Sequence, residues 1–231
     1  MIELKHVNKS FKGEQVLKDV NLNLYNNEIY GFVGRNGSGK TVLFKLIAGY
    51  MYPDTGEIII NGKKIGVSVD FPENMGALIE HPGFLWFETG YQNLAYLAAI
   101  NKRISKEEVR QAMEKVGLNP DSKKKVGKYS LGMKQRLGIA QAIMDHPYVL
   151  ILDEPMNGLD DKGIEDIRKL ILSLRAENRV ILISSHNKED IRILCDKVFM
   201  IYNGKVNIVE EEGWSKTMWD EYSGSVVKTK I

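Results

Sequence analysis

The stretch Gly34–Arg35–Asn36–Gly37–Ser38–Gly39–Lys40–Thr41 fits the spacing G-x-x-x-x-G-K-[ST], and its reading decides the fold. Ahead of it, Ile29–Tyr30–Gly31–Phe32–Val33 is an apolar run of strand length. Behind it, Val42–Leu43–Phe44–Lys45–Leu46–Ile47–Ala48 reads as a helix that Gly49 stops. Strand, glycine-rich loop and helix is the context in which this spacing holds phosphate. Loop N–H groups and the helix N-terminus face the anion together. Gly34, Asn36, Gly37, Ser38 and Gly39 are the expected backbone and side-chain cradle. Lys40 is expected to reach the β- and γ-phosphates of a nucleotide, and the Thr41 hydroxyl to ligate Mg²⁺. The alternative is a glycine-rich turn that matches by chance.

A second constellation is Val149–Leu150–Ile151–Leu152–Asp153–Glu154–Pro155, an apolar strand ending in two carboxylates. A buried parallel strand brings Asp153 to the sheet edge that carries the phosphate loop. There it suits Mg²⁺, which keeps several waters and takes few protein ligands. Glu154 follows, placed to orient or deprotonate a water near the γ-phosphate. Acidic residues capping a surface strand would look the same in isolation; beside the glycine-rich loop, the pair points to a metal ligand and a base.

Around these motifs the chain divides by pattern. Ile2 to Val7, Val16 to Tyr25 and Glu28 to Val33 read as strands. Glu57–Ile58–Ile59–Ile60 precedes the tight turn Asn61–Gly62. Tyr91 to Val116 is helical, with Ser105 and Glu108 spaced as a capping box and Gly117 as a stop. Tyr129–Ser130–Leu131–Gly132–Met133–Lys134–Gln135–Arg136 opens another helix, with Ser130 as its N-cap. From Tyr148 onward strands and helices alternate, with strands expected at Val180–Ser184 and Lys197 to Tyr202 and a hairpin at Asn203–Gly204. Cys195 is expected on a helix as a buried filler. The reading is α/β: a mixed, mainly parallel sheet with an N-terminal antiparallel part and an inserted helical subdomain.

Composition narrows the function. A net charge of +2 over 231 residues gives no bulk case for nucleic acid. Lys123, Lys124, Lys125 and Lys128 read as a solvated cluster. One cysteine allows no internal disulfide and suits a reducing cytosol. Four scattered histidines offer no zinc spacing. Met1–Ile2–Glu3–Leu4–Lys5 alternates like a strand and lacks a signal core, and no apolar run reaches membrane-spanning length.

In order along the chain come the phosphate loop, the helical block, Tyr129–Ser130–Leu131–Gly132–Met133, Asp153–Glu154–Pro155, Gly158–Leu159–Asp160 and Ser184–Ser185–His186. This order resembles the ATP-binding subunit of ABC transporters up to about Glu210. The resemblance implies a P-loop NTPase core of the ABC ATPase type in one domain over 1–231. The catalytic α/β core takes 1–80 and 145–210, the helical subdomain with the signature helix 81–144, and a C-terminal tail with Trp214 and Trp219 the remaining 211–231. It further implies ATP and Mg²⁺ as ligands. Two subunits, homodimer or related chain, would sandwich two nucleotides, with Ser130 and Gly132 of one facing the phosphate loop of the other. Asp160 would link the sites across the dimer, and His186 would contact γ-phosphate. Phe11 stands where an aromatic stacks on adenine, the alternative being a core phenylalanine at a strand end.

Three positions depart from the family pattern. Leu131 replaces the first signature glycine and Met133 the glutamine. Glu80, ending Gly76–Ala77–Leu78–Ile79–Glu80, stands where most relatives carry a glutamine at the Mg²⁺ and attacking water. A carboxylate there offers acceptors and no amide donor, so Glu80 is expected to ligate Mg²⁺ or to repel γ-phosphate until metal arrives. These features resemble the bacitracin and lantibiotic branch, whose members expel peptide antibiotics and often confer self-immunity. That implies a transmembrane permease subunit as partner and a cytoplasmic position, peripheral on the inner face of the membrane. Pro82, Gly83, Phe84, Leu85, Trp86 and Phe87 form a candidate surface for that partner, its aromatics the expected contacts, or they pack on the helices beside them. The other readings are a subunit of another exporter, a soluble ABC ATPase outside transport, and a module holding nucleotide as a structural ligand.

Overall fold

Two sheets share one helix between them. The architecture comes from a computed structural model that describes residues 1–80, 82–175 and 178–209, with the side chain of Asn101 left aside. The first sheet is antiparallel. Strand β1 (Ile2–Phe11) pairs with β2 (Glu14–Leu24) across the turn Lys12–Gly13 and with β4 (Thr55–Ile60) on its other side, and β5 (Lys63–Lys64) closes the order β2-β1-β4-β5. β4 and β5 are joined through Asn61 and Gly62, both at positive φ, as the Asn-Gly turn predicts. β1 and β2 run longer than the apolar alternation marks out. Register shifts interrupt β1 after Leu4, and His6 and Asp19 sit at φ 51° and 48°, their side chains 2.7 Å apart. Such bulges bend a strand without ending it.

The second sheet has the order β10-β9-β3-β8-β7-β6, formed by β3 (Glu28–Val33), β6 (Met75–Leu78), β7 (Val149–Asp153), β8 (Val180–Ser184), β9 (Lys197–Tyr202) and β10 (Lys205–Val209). All neighbours are parallel except β10, which returns antiparallel through Asn203–Gly204. β7 and β8 read as unbroken apolar runs because both faces are covered. Val149, Ile151, Val180 and Leu182 join the core shared with the first sheet, while Leu150, Leu152, Ile181 and Ile183 face a second core with the remaining helices.

Helix α1 (Lys40–Ile47) lies in the core shared by both sheets. Leu43, Phe44, Leu46 and Ile47 are fully buried there, and the Phe44 ring meets Phe32 edge-on at 5.4 Å. The helix starts two residues before the expected Val42, because Gly39 at φ 109° already serves as its N-cap. Helices α2 (Gly90–Asn101), α3 (Lys106–Lys115) and α4 (Leu131–Ile143) all lie between β6 and β7 in sequence. The Ser105–Glu108 box caps α3 as its spacing predicts, and Thr89 with Gln92 does the same for α2. Leu137, Ala140 and Ile143 of α4 are buried. Helices α5 (Asp161–Arg175) and α6 (Lys188–Leu194) complete the layer. Cys195, expected within a helix, is the residue after α6. It has extended backbone, and its Sγ packs against Gly31 of β3. Trp214 and Trp219 fall outside the described residues.

Candidate active site

The strand order gathers the motifs. β3, β8 and β7 are adjacent and parallel, with Phe32 opposite Ser184 and Ser184 opposite Asp153. The phosphate loop leaves the end of β3, Ser185 and His186 leave β8, and Glu154 leaves β7. Strands lie about 4.8 Å apart, so these three segments share one edge within about 10 Å. β6, beyond β7, delivers Glu80 to the same end of the sheet.

The phosphate loop is built to hold an anion. Gly37 sits at φ 80°, and nothing lies within 4 Å of the point where a side chain would start, so the loop is open above it. The buried Ser38 Oγ has no hydrogen-bond partner. Lys40 is buried, and its ammonium donates to the carbonyls of Gly34 at 2.6 Å and Arg35 at 3.3 Å. Burial lowers its pKa, against the pull of the Glu154 and Asp153 carboxylates. A buried cation, an orphaned hydroxyl and the N-terminus of α1 converge on one open cradle. These residues fit a nucleotide phosphate chain.

Thr41 Oγ1 donates to Asp153 Oδ2 at 2.8 Å, which joins the first turn of α1 to the end of β7. This all-oxygen pair is the donor set Mg²⁺ takes when phosphate and water supply its remaining ligands. The Ser184 hydroxyl clamps the acidic pair. It donates to Asp153 Oδ1 at 2.5 Å and accepts the Glu154 N–H at 2.9 Å. Gln135 of α4 donates to the Glu154 carbonyl at 2.9 Å. Glu154 itself holds φ 51°, a left-handed conformation unusual for a side chain of its size, of the kind that gathers at working sites.

The Glu154 carboxylate turns toward His186. Its Oε2 accepts the His186 N–H at 3.2 Å. His186 Nε2 stands 3.0 Å from Oε1 but off the line of a hydrogen bond, which leaves that buried oxygen without a donor. Burial pushes the Glu154 pKa up to about 7 despite the His186 N–H and Lys40. Burial and the Lys40 charge lower that of His186. A carboxylate of this pKa can take a proton at neutral pH, beside an imidazole that stays neutral.

The other expected site residues lie around this centre. Among the described residues no hydrogen bond joins Glu80 to Thr41 or Asp153; its Oε1 accepts from Lys45 of α1 at 2.6 Å. Phe11 is exposed at the end of β1 with the Lys9 ammonium 5.5 Å from its ring centre. Its hairpin reaches the phosphate loop, since Val16 of β2 packs against Gly39. Ser130 caps α4 by accepting the Met133 N–H at 3.2 Å. A side chain at Gly132 would start 2.7 Å from the Gly158 carbonyl, so the signature helix needs glycine there to approach that loop. Asp160 caps α5 by accepting the Gly163 N–H at 3.0 Å. Among the described residues, no hydrogen bond joins Ser130, Gly132 or Asp160 to Lys40 or Thr41. Phe84 packs inward, whereas Leu85, Trp86 and Phe87 are exposed. The buried Asn93 holds Leu85 by both its backbone groups.

Two contributors escaped the sequence. Ser184 stands in the quoted Ser184–Ser185–His186 run, but its grip on the Asp153 carboxylate and the Glu154 N–H shows only when β8 lies beside β7. Gln135 carries no sequence signal for its bond to Glu154.

Residues 17–157 match the family described as ABC transporter. Bacitracin transport ATP-binding protein BcrA of Enterococcus faecalis is 40% identical, over 91% of this chain and 68% of that protein. Lantibiotic transport ATP-binding protein SrtF of Streptococcus pyogenes is 33% identical, over 100% of this chain and 99% of that protein. A dimeric ATP-binding cassette solved in a post-hydrolysis state with ADP and Pi superposes with a TM-score of 0.82 at 23% identity, covering 91% of this chain and 98% of that one.

Proposed function

The chain belongs to the ABC transporter family as an ATP-binding, ATP-hydrolysing subunit, and from that premise we propose that it powers the expulsion of a peptide antibiotic through a separate transmembrane permease. The observation that carries the catalytic part is the convergence of Lys40, Thr41, Asp153, Glu154 and His186 on one sheet edge. The substrate class is supported by the similarity to bacitracin and lantibiotic transport proteins and by Glu80 in place of glutamine.

In this reading Lys40 and the loop amides bind the phosphates, and Phe11 stacks on the base. Thr41 and Asp153 hold Mg²⁺. The ion offsets phosphate charge when bound. Ser184 holds the Asp153 carboxylate and the Glu154 backbone N–H. Glu154 accepts a proton from the attacking water, while His186 contacts the γ-phosphate. The transferred group needs little covalent help, so positioning and charge stabilisation carry the reaction. Ser130 and Gly132 of a second subunit complete the enclosure through the N-terminus of α4, with Asp160 between the two sites. Within one chain, among the described residues, no hydrogen bond joins these to Lys40, which is consistent with a shared site. Lys45 holds one oxygen of Glu80, and the other is the one offered to Mg²⁺. Residues 81–144 act as a subdomain on the 1–80 and 145–210 core.

Among the described residues no helix is long and apolar enough to cross a membrane. We assign the membrane contact to Leu85, Trp86 and Phe87, which a hydrogen-bonded loop holds outward. The subunit then works on the inner face of the membrane.

The test is Glu154→Gln. With Mg²⁺ and ATP it should shift from monomer to dimer in light scattering, and turn over ATP about 10²–10⁴-fold more slowly than the parent. A monomer at saturating nucleotide, or near-normal turnover, removes the reading. For substrate class, co-expression with its membrane partner should raise the inhibitory concentration of bacitracin or a lantibiotic in a sensitive host. No change with any such peptide overturns that part alone.

A further inference from the structure

We infer that Arg168, Asp190 and Ser185 form a positioning relay that fixes the His186 loop from helix α5; the inference rests on the active site proposed above. Asp190 is 1% exposed. A carboxylate so buried needs partners at both oxygens. Arg168 supplies one side, donating from Nε at 2.8 Å and Nη2 at 2.5 Å to Oδ1. Ser185 supplies the other, its hydroxyl donating to Oδ2 at 2.8 Å. The three groups come from α5, the first turn of α6 and the loop after β8.

Ser185 is buried and its hydroxyl works twice. Besides donating to Asp190, it accepts the Asn187 N–H at 3.0 Å. Asn187 in turn accepts the Glu189 N–H at 2.8 Å and caps α6. The residues on both sides of His186 are therefore held by hydrogen bonds, while its own N–H is committed to Glu154. The backbone direction at His186, and the face its ring presents to Glu154, follow from where Asp190 sits.

A pair of packed apolar side chains would hold α5 to α6 at no desolvation penalty, since a buried ion pair is seldom the more stabilising choice. What the ion pair adds is direction. A carboxylate with two fixed donors on one oxygen presents the other oxygen along one line, and Ser185 lies on it. Arg168 stands eight residues beyond Asp160, about 12 Å along the helix. A shift of α5 at its Asp160 end thus reaches His186 through three hydrogen bonds.

Ser185→Ala removes the hydroxyl and leaves Arg168 and Asp190 paired. We expect kcat for ATP to fall about tenfold, with KM for ATP within twofold and Tm within about 3 °C of the parent. Ser185→Thr, which restores the hydroxyl, should recover most of the turnover. Arg168→Lys should retain more turnover than Arg168→Met at matched Tm. Turnover of Ser185→Ala within twofold of the parent overturns the relay, as does a loss matched by equal losses in ATP affinity or thermal stability, which marks a merely structural contact. Should Ser185→Ala fail to fold, the Arg168 pair decides alone, and equal turnover of the two overturns the relay. Glu154→Gln is run beside them. If it keeps turnover, the active site itself is misassigned; if it loses turnover while Ser185→Ala keeps it, only the relay fails.

Discussion

Replacing Glu154 by glutamine should make the nucleotide-free protein more stable at alkaline pH. Burial raises the Glu154 pKa from the ordinary 4.5 to about 7. Between those values the folded chain holds a proton that the unfolded chain has released. Stability therefore falls as pH rises through this window, and the penalty is complete above about 7. A shift of about 2.5 units at 1.36 kcal/mol per unit sets an upper bound of about 3 kcal/mol. Glutamine keeps the acceptor for the His186 N–H and places an amide N–H₂ where Oε1 now lacks a donor. Against this, Lys40 loses a neighbouring negative charge. The balance is a gain of about 1–3 kcal/mol, or roughly 3–10 °C in Tm for a chain of this size. Thermal unfolding without nucleotide or Mg²⁺, followed by circular dichroism at pH 8.5 and at pH 5, measures it. The gain should be large at pH 8.5 and mostly gone at pH 5, where both proteins carry a neutral group at this position. A Glu154→Gln protein that melts at or below the parent at pH 8.5 would show the carboxylate to be solvated or well paired, and a burial-tuned base would have to be abandoned.

Lys40→Ala should weaken Mg²⁺–ATP binding at least tenfold by fluorescent-nucleotide titration; unchanged affinity would contradict the buried ammonium as a phosphate ligand. Ser130→Ala should lose about 1 kcal/mol of stability through the missing helix cap and should also reduce nucleotide-dependent dimerisation. Normal dimerisation at reduced Tm would confine Ser130 to capping. Glu80→Gln breaks an exposed ion pair with Lys45, so urea unfolding should change by less than about 1 kcal/mol, while the Mg²⁺ requirement for turnover rises if Glu80 ligates the ion. An unaltered Mg²⁺ dependence would remove it from the metal site. Cysteines placed at Leu85 and Phe87 should crosslink to the membrane subunit in intact membranes, and crosslinking that spares every membrane protein would move the docking surface elsewhere.

Local signals in the sequence were legible where the chemistry is local. The phosphate loop, the Ser105–Glu108 box, and the turns at Asn61–Gly62 and Asn203–Gly204 each depend on residues within a few positions, and the structure shows each in place. Strand order is a different matter. That β8 lies between β3 and β7 follows from pairings more than thirty residues apart, and this placement gives Ser184 its bonds to the Asp153 carboxylate and the Glu154 N–H. The Lys45–Glu80 and Arg168–Asp190 pairs, 35 and 22 residues apart, were hidden because they too join separate elements. The left-handed backbone at Glu154 has no sequence cue, because nothing about Asp153–Glu154–Pro155 requires it. Phe84 and its three neighbours illustrate the limit of pattern reading: one of four adjacent apolar residues turns inward, and the register is held by hydrogen bonds to later residues, between Leu85 and Asn93 and from the Gly127 N–H to the Trp86 carbonyl.

The helix that begins at Lys40 is walled in on two sides by sheets, with its aromatic and aliphatic side chains locked among both. A part so enclosed cannot swing without opening the molecule. It is the fixed frame of the machine, and its amides should rank among the slowest in hydrogen exchange. Any stroke must then be delivered by pieces that ride on the outer face, chiefly the three helices between β6 and β7, of which α4 packs on β6 and β7.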